Sequence, residues 1–199
     1  LSASDRAELR RTARKTWRFF ETFVTAQDNW LPPDNYQEDP KGEVAHRTSP
    51  TNMGLLVLSN LSAHDLGYQT LPDLAERLRR TFETFDRLEK YRGHFLNWYE
   101  TTTLRPLPPA YVSTVDSGNL LGCLLVLKNG LAEKQAEPIP NPAAVDGLRD
   151  TLELAAAQLP KGAAEELRAH MAAGTRTVPA TLTEWDEWLA GAEKLAAGL

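Results

Sequence analysis

The chain has 199 residues, of which 42% are hydrophobic and 25% are charged, a composition typical of a globular protein and not of a disordered one. The net charge is −5, without a block of like charges, which argues against nucleic acid as a partner because phosphate binding needs a clustered basic surface. The longest apolar run, over residues 120–127, is too short to span a bilayer, so no membrane segment is expected.

Three helices are predicted in the first part of the chain. Apolar residues at spacings of three and four over 5–25 predict an amphipathic helix with a basic outer face. Residues 48–50, Thr-Ser-Pro, predict the N-cap and first turn of a second helix, which has apolar residues around most of its circumference and is expected to be buried on several sides. A third helix starts at residues 70–72, and its single apolar stripe is typical of an outer helix.

The helical pattern breaks in the middle of the chain and then resumes. Several prolines between residues 93 and 113, together with aromatic residues that favour strands, predict a short extended excursion there. Asp116 or Ser117 is predicted to cap a fourth helix. Asn141 followed by Pro142 predicts the cap and first turn of a fifth.

The last part of the chain is rich in alanine and leucine. A sixth helix is predicted over 162–173, and a capping box at 181–184, Thr-Leu-Thr-Glu, opens a seventh. Trp17, Trp185 and Trp188 fall on helices and are expected to be packing residues. Heavily buried helices alternate with amphipathic ones, and no strand pattern extends over any length, so the sequence predicts an all-α protein of about seven helices.

Polar, aromatic and charged residues crowd into short blocks between the helices of the first half. Such mixtures on loops suit a sugar-binding cleft, because an aromatic ring packs on the C–H face of a pyranose while fixed polar groups bind its hydroxyls. The blocks read WLPPDNYQEDP over 30–40, HRTSPTN over 46–52 and YRGHFLNWY over 91–99. A further block, VDSGN, follows over 115–119. Trp30, Tyr36, Trp98 and Tyr99 are the candidates for stacking on sugar rings.

Four carboxylates lie among these aromatic residues: Glu38, Asp39, Glu100 and Asp116. Glycosidic chemistry uses one carboxyl group as an acid and another as a nucleophile or base. Sugar-hydroxyl binding is the favoured role for Glu38 and Asp39, with direct catalysis and loop bracing as the alternatives. Asp116 serves equally well as a simple helix cap.

The histidine and arginine side chains of these blocks suggest contacts with a ligand more than they suggest a metal site. His46 and His94 lack partners at metal-ligand spacing, so hydrogen bonding to a ligand or to loop backbone is expected. Arg47 and Arg92 are candidates to clamp a carboxylate such as Glu38 or Asp39 and so hold the loops rigid. The single cysteine, Cys123, is expected to be a small buried apolar residue.

These blocks resemble the central cyclising domain of cyclic β-1,2-glucan synthases. The matching text is WLPPDNYQEDP over 30–40, VAHRTSPTN over 44–52, RGHFLNWY over 92–99 and YVSTVDSGNL over 111–120. The resemblance covers residues 10–131, the family-like part with the cleft loops, whereas residues 132–199 share only helical character. Both parts are expected to form one helical segment over 1–199.

The resemblance implies a fold similar to that of (α/α)6-toroid glycoside hydrolases, of which this chain holds the N-terminal half as a partial toroid of alternating inner and outer helices. It implies a retaining transglycosylase that closes linear β-1,2-glucan into a ring. The glutamates expected to catalyse this step lie in later motifs. No catalytic residue is therefore assigned within this chain, no cofactor or metal is expected, and the isolated segment is expected to be inactive.

The positions that match the family's motifs are carried over as substrate-binding or cleft-supporting residues. They are Trp30, Tyr36, Glu38, Asp39, His46, Arg47, Asn52, Arg92, His94, Asn97, Trp98, Tyr99, Asp116 and Asn119. The expected partners are a β-1,2-glucan chain, the remaining half of the toroid and an adjacent glycosyltransferase domain.

The chain begins at Leu1 and not at a methionine, and it is expected to be a piece of a large inner-membrane protein. The resemblance places it on the cytoplasmic side, and the isolated segment is expected to be soluble. Two alternatives stay open. One is a fragment of an endo-β-1,2-glucanase-like hydrolase, and the other is a non-catalytic helical module that binds carbohydrate or protein.

Overall fold

A computed structural model of the chain describes residues 1–160 and 162–198. Seven α-helices and six short strands are found in these ranges. The helices are α1 (Ala3–Phe23), α2 (Pro50–Asp65), α3 (Leu71–Arg87), α4 (Thr114–Lys134), α5 (Ala143–Ala156), α6 (Glu165–Arg176) and α7 (Leu182–Ala196). The predicted all-α class is confirmed.

Each strand has two residues, and the strands form three antiparallel pairs. They are β1 (Tyr36–Gln37) with β2 (Glu43–Val44), β3 (Arg47–Thr48) with β6 (Tyr99–Glu100), and β4 (Lys90–Tyr91) with β5 (His94–Phe95). The extended excursion predicted over 93–113 is present as β5 and β6. The strands between residues 36 and 48 were not predicted, since they are too short to show alternation.

Helix starts follow the capping chemistry in most cases. Ser49 caps α2 by accepting a hydrogen bond from the Asn52 N–H at 3.3 Å, and the Thr181–Glu184 capping box opens α7 as predicted. The prediction for α4 was wrong. Ser113, and not Asp116 or Ser117, is the cap, because its hydroxyl accepts from the Asp116 N–H at 3.2 Å and places Asp116 inside the first turn.

The chain forms two compact units. The first comprises residues Leu1–Thr16, Ala63–Leu71 and Glu137–Leu199, and the second comprises Trp17–Ser62 and Pro72–Ala136. The expected boundary at residue 131 separates a family-like part from a part of weak resemblance, and it stays a prediction. All the candidate substrate-binding residues belong to the second unit.

The first unit is built around the last three helices. Its apolar cluster gathers small and aliphatic side chains of α5, α6 and α7, with Trp188 packed against it. Two glycines let α5 approach the turn after α2. Gly67 has φ +81°, and a Cβ there would lie 2.0 Å from the Ala143 carbonyl oxygen, while a Cβ at Gly147 would lie 2.0 Å from the Gly67 carbonyl oxygen.

The second unit packs α2, α3 and α4 with the loops that carry the predicted blocks. Its fully buried aliphatic residues include Leu31, Met53, Leu56, Val57 and Leu74. Gly54 of α2 is the point of close approach to α4, since a Cβ there would meet Cys123 Sγ at 2.9 Å.

The expectation that α2 is buried on several sides holds only in part, because Leu55 is 51% exposed. Trp17 and Trp185 are buried, in agreement with their predicted packing role.

Candidate functional site

Asp34 is the centre of a polar cluster in the second unit. Its carboxylate accepts hydrogen bonds from Arg47 Nη2 at 3.0 Å, Arg47 Nε at 3.3 Å, Asn52 Nδ2 at 3.2 Å and Asn35 Nδ2 at 3.0 Å. The Asp34 N–H donates to the Ala45 carbonyl at 3.2 Å, which fixes the loop. One carboxylate thus holds groups from a loop, from β3 and from the first turn of α2.

Arg47 is held between this carboxylate and an aromatic ring. Its guanidinium carbon lies 5.1 Å from the centroid of the Trp98 ring, at cation–π distance. Arg47 sits on β3 opposite Glu100 of β6, so the strand pair brings residue 98 next to it. The Arg47 side chain is 52% exposed and faces solvent beside the Asp34 carboxylate. We call Asp34, Arg47, Asn52 and Trp98 the Asp34 cluster.

A second polar group joins the first turns of α2 and α4. The Thr51 hydroxyl donates to Asp116 Oδ1 at 2.5 Å and accepts from Asn119 Nδ2 at 3.0 Å. Because Thr51 precedes Asn52 on α2, this group adjoins the Asp34 cluster. Both groups present carboxylate, amide and hydroxyl side chains that are partly or wholly exposed.

His46 lies next to Arg47 and is oriented by a buried carboxylate. His46 Nδ1 lies 2.7 Å from Asp28 Oδ1, and the Asp28 side chain is only 6% exposed. A carboxylate only accepts, so Nδ1 carries the hydrogen and Nε2 of the neutral ring is the acceptor. Thr101 also donates to Asp28, and its N–H donates to the His46 carbonyl at 3.0 Å. The ring is 41% exposed and available for a ligand.

Two of the four predicted sugar-stacking residues lie against other parts of the second unit. The Trp30 ring is covered by the Arg80 guanidinium at 4.4 Å and lines an open cavity of about 330 Å³ on the side of α3. The Tyr36 ring stacks on Phe23 of α1 at 4.9 Å, with an angle of 29° between the planes. Within the described ranges, the ring contacts of Trp30 and Tyr36 are with Arg80 and Phe23 and not with the Asp34 cluster.

Tyr99 and Asn97 are buried and hydrogen-bonded to backbone groups, which favours support of the cleft over sugar contact as the role of these two predicted positions. The Tyr99 hydroxyl donates to the Glu89 carbonyl and accepts from the Leu96 N–H, both at 2.6 Å, and the residue is 0% exposed. Burial raises the pKa of Tyr99. The buried Asn97 side chain accepts from the Tyr111 N–H at 3.1 Å. Neither side chain has a surface left for a sugar.

The remaining candidates are exposed on hairpin loops. Glu38 and Asp39 lie between β1 and β2, and Arg92 and His94 lie at the turn and second strand of the β4–β5 hairpin. Arg92 has φ +51° and stacks its guanidinium on Tyr91 at 5.3 Å. Arg47 clamps a loop carboxylate, as the sequence indicated, but the carboxylate is that of Asp34 and not of Glu38 or Asp39.

The sequence reasoning missed Asp34, Asp28 and Thr51 as members of the site. Asp34 lies inside the WLPPDNYQEDP block, and nothing in the sequence indicates that its carboxylate accepts hydrogen bonds from residues 47 and 52. The only available indication was its position as a polar residue within a Pro-rich loop. In the described ranges, no group of three or more His, Cys, Asp or Glu side chains is placed to hold a metal ion.

The arrangement offers fixed donors and acceptors at one partly exposed surface. Arg47 supplies donors, Asp116 and Asn119 supply carboxylate and amide groups, and His46 supplies a ring nitrogen. These are groups that bind hydroxyls. Both Asp34 and Asp116 accept hydrogen bonds from neighbouring side chains, which fixes their position at this surface.

Comparison with known proteins gives one informative match. No family model matches the chain. The sequence is 48% identical over 144 residues to the cyclic beta-(1,2)-glucan synthase NdvB of Rhizobium meliloti (strain 1021). The match covers 72% of this chain and 5% of the synthase, so the chain corresponds to a small segment of that protein.

The match confirms the resemblance to cyclic β-1,2-glucan synthases. Identity of 48% over most of the chain extends the similarity well past the four short motifs. In the part of the chain that the structure describes, none of the helices has the length and apolar character needed to cross a membrane.

Proposed function

We propose that this chain, similar to a segment of a cyclic β-1,2-glucan synthase, forms part of the glucan-binding wall of a retaining transglycosylase domain. That domain would close linear β-1,2-glucan into a ring, with its acid and nucleophile supplied by residues outside this chain. The chain itself would hold the glucan in place through hydroxyl contacts and would make no bond to it.

One observation carries the proposal: Arg47, Asn52 and Trp98 are gathered around Asp34, next to the group formed by Asp116 and Asn119. These residues come from the loop blocks whose pattern suits sugar binding. An exposed set of fixed polar groups beside an indole is the surface that a polyhydroxyl chain requires. The similarity to a cyclic beta-(1,2)-glucan synthase supports β-1,2-glucan as the polymer.

The proposed architecture is a partial (α/α)6 toroid completed by other parts of a longer protein. The exposed apolar side chains of α4 support it. Val115, Leu121, Leu125 and Val126 are 71%, 59%, 55% and 52% exposed on a helix whose other side is buried through Leu120 and Leu127. A remaining half-toroid and an adjacent glycosyltransferase domain are the proposed partners, and the cytoplasmic side of the inner membrane is the proposed location.

A second function is favoured by a different observation. Trp30, Tyr36 and Trp98 each have one face covered by a protein side chain, and Tyr99 is buried. Aromatic groups paired in this way are also what a helical module without sugar-binding activity would show, with Asp34 and Arg47 as a loop brace. A binding measurement separates the two functions.

The test is a calorimetric titration of this chain with linear β-1,2-glucan. We expect saturable binding that Arg47→Ala weakens about tenfold, since a charge-assisted hydrogen bond contributes on the order of 1.5–3 kcal/mol. Arg105→Ala is the matched control, because Arg105 is an exposed arginine of the same unit that lies outside the cluster. Absence of binding by the unsubstituted chain, with its fold intact by circular dichroism, would favour the helical module.

A further inference from the structure

The two oxygens of the Asp34 carboxylate fix the orientation of two neighbouring side chains. Arg47 uses Nε and Nη2 on Oδ2, at 3.3 and 3.0 Å. This contact occupies one edge of the guanidinium and leaves Nη1 pointing away from Asp34. Among the described residues, the hydrogen bonds of the Arg47 side chain are made by Nε and Nη2, and none by Nη1.

Asn52 is oriented by the other oxygen of the same carboxylate. Its amide lies 3.2 Å from Asp34 Oδ1, and a carboxylate accepts only, so the nitrogen of the amide faces Asp34. The Asn52 carbonyl oxygen Oδ1 then points away. It accepts no hydrogen bond among residues 1–160 and 162–198. The cluster therefore presents one oriented donor and one oriented acceptor, both held by the Asp34 carboxylate.

We propose that Asp34 is a positioning residue which presents Arg47 Nη1 and Asn52 Oδ1 as a donor and acceptor pair to a vicinal diol of a glucosyl residue. This inference rests on the proposed function and adds the part of the sugar that is recognised. One hydroxyl donates to Asn52 Oδ1, and its neighbour accepts from Arg47 Nη1. Asp34 acts through these two residues and does not touch the sugar.

The linkage of the glucan decides whether its internal glucosyl residues carry such a diol. An internal β-1,2-linked glucosyl residue uses its oxygens 1 and 2 in linkages and keeps adjacent free hydroxyls at positions 3 and 4. An internal β-1,3-linked residue keeps hydroxyls at positions 2, 4 and 6, which are not adjacent. A site built for a vicinal diol should therefore discriminate between the two polymers, because a donor or acceptor that the bound sugar covers without pairing it weakens binding.

The experiment measures dissociation constants of the full chain for linear β-1,2-glucan and linear β-1,3-glucan oligosaccharides of equal length. We expect the unsubstituted chain to prefer the β-1,2-linked oligosaccharide by about tenfold or more. Asp34→Asn should weaken β-1,2 binding by about tenfold and bring the ratio of the two constants close to one. Asp86→Asn is the control, because Asp86 is an exposed aspartate of the same unit outside the cluster.

Changes in preference distinguish a positioning role from a purely structural one. A purely structural Asp34 would lower the melting temperature of Asp34→Asn while leaving the ratio of constants in the folded fraction unchanged, and that result would overturn the inference. If Asp34→Asn does not fold, Arg47→Lys and Asn52→Ala replace it. Both retain the Asp34 carboxylate, and both are expected to lose the preference. An unchanged ratio in both would also overturn it.

Failure of this inference and failure of the proposed function give different results. Strong β-1,2 binding by the unsubstituted chain, with no effect of Asp34→Asn on either constant, would remove the role of Asp34 and leave the glucan-binding function in place. Equal binding of the two polymers would remove recognition of the diol. No binding of either polymer would remove the proposed function and, with it, this inference.

Discussion

At the scale of single residues, Arg47 controls what a sugar would encounter at Trp98. The guanidinium covers one face of the indole, so a pyranose can stack on that ring only on its other face or after Arg47 moves. An exposed cation–π contact contributes about 0.5–1 kcal/mol, which is less than the charge-assisted bond from Arg47 to Asp34. A sugar hydroxyl that hydrogen-bonds to Arg47 leaves the contacts of Arg47 with Asp34 and Trp98 in place. We therefore expect hydroxyl binding to Arg47 and not stacking on the covered face of Trp98.

Tyr99 is the residue for which structural and binding roles separate most sharply. Replacing it by Phe removes its bonds to the Glu89 carbonyl and the Leu96 N–H, leaving both backbone groups without that partner. We expect Tyr99→Phe to lower the free energy of unfolding by about 1–3 kcal/mol, measured by urea denaturation. Tyr91→Phe, at a site 56% exposed, is the control and should change it by less than about 0.5 kcal/mol.

The binding of glucan by the folded fraction of Tyr99→Phe is expected to be unchanged. A loss of glucan affinity in Tyr99→Phe without a loss of stability would show that Tyr99 does contact the sugar. Unchanged stability would show that its two hydrogen bonds do not hold the segment between Glu89 and Leu96 together.

The candidate residues of the site could be named from sequence, whereas the contacts among them could not. Arg47, Trp98 and Asp116 were named by residue type and by position in loop blocks, and Asn52 and Asn119 by their match to the family's motifs. Which of them meet depends on contacts between residues far apart in the chain, such as Thr51 with Asp116. No local pattern encodes such contacts. Asp34 was missed for the same reason, since its role becomes visible only when residues 47 and 52 are placed beside it.

At the scale of elements, helix starts were the most predictable feature. The Ser49 cap and the Thr181–Glu184 capping box satisfy local backbone donors, and such local chemistry is readable in the sequence. The start of α4 was misplaced because several polar residues near it can cap a helix, and the actual cap, Ser113, lies one turn before the predicted Asp116 or Ser117. The three short strand pairs depend on partners and turns, and only one region of them was predicted.

The crossing of α2 and α4 depends on Gly54. A methyl group there would meet Cys123 Sγ at 2.9 Å and Cys123 Cβ at 3.2 Å. We expect Gly54→Ala to lower the free energy of unfolding by about 1–3 kcal/mol through overpacking, measured by chemical denaturation. Adding Cys123→Ala should restore part of the loss, because it removes the sulfur but keeps Cβ.

Gly122→Ala is the matched control for this crossing. It also lies within a helix, and a Cβ there would meet nothing within 4 Å. Higher helix propensity should make this variant more stable by up to about 1 kcal/mol. Equal destabilisation by Gly54→Ala and Gly122→Ala would show that the close contact with Cys123 is not the cause.

At the scale of the whole molecule, the exposed apolar residues of α4 stand out against a chain of net charge −5. Apolar patches on a protein surface usually mark a contact with something else. We expect the double substitution Leu121→Lys with Leu125→Lys to leave the melting temperature of this chain within about 2 °C, because both side chains are more than half exposed. It should also reduce self-association in analytical ultracentrifugation.

Leu120→Lys is the control for this prediction. Leu120 is 5% exposed on the opposite side of the same helix, so burial of a lysine there should unfold the chain. A large fall in melting temperature for the Leu121 and Leu125 pair would show that these side chains already pack against the rest of the chain. Unchanged self-association would remove the patch as a site of contact.

The close approach of α5 to the turn after α2 limits what can replace the two glycines there. A Cβ at Gly147 would lie 2.0 Å from the Gly67 carbonyl oxygen, whereas a Cβ at Gly67 would lie 2.0 Å from the Ala143 carbonyl oxygen. Gly67 also has φ +81°, a backbone conformation that other residues rarely adopt. The two glycines thus make room for different backbone neighbours, and a substitution at one does not remove the need for the other.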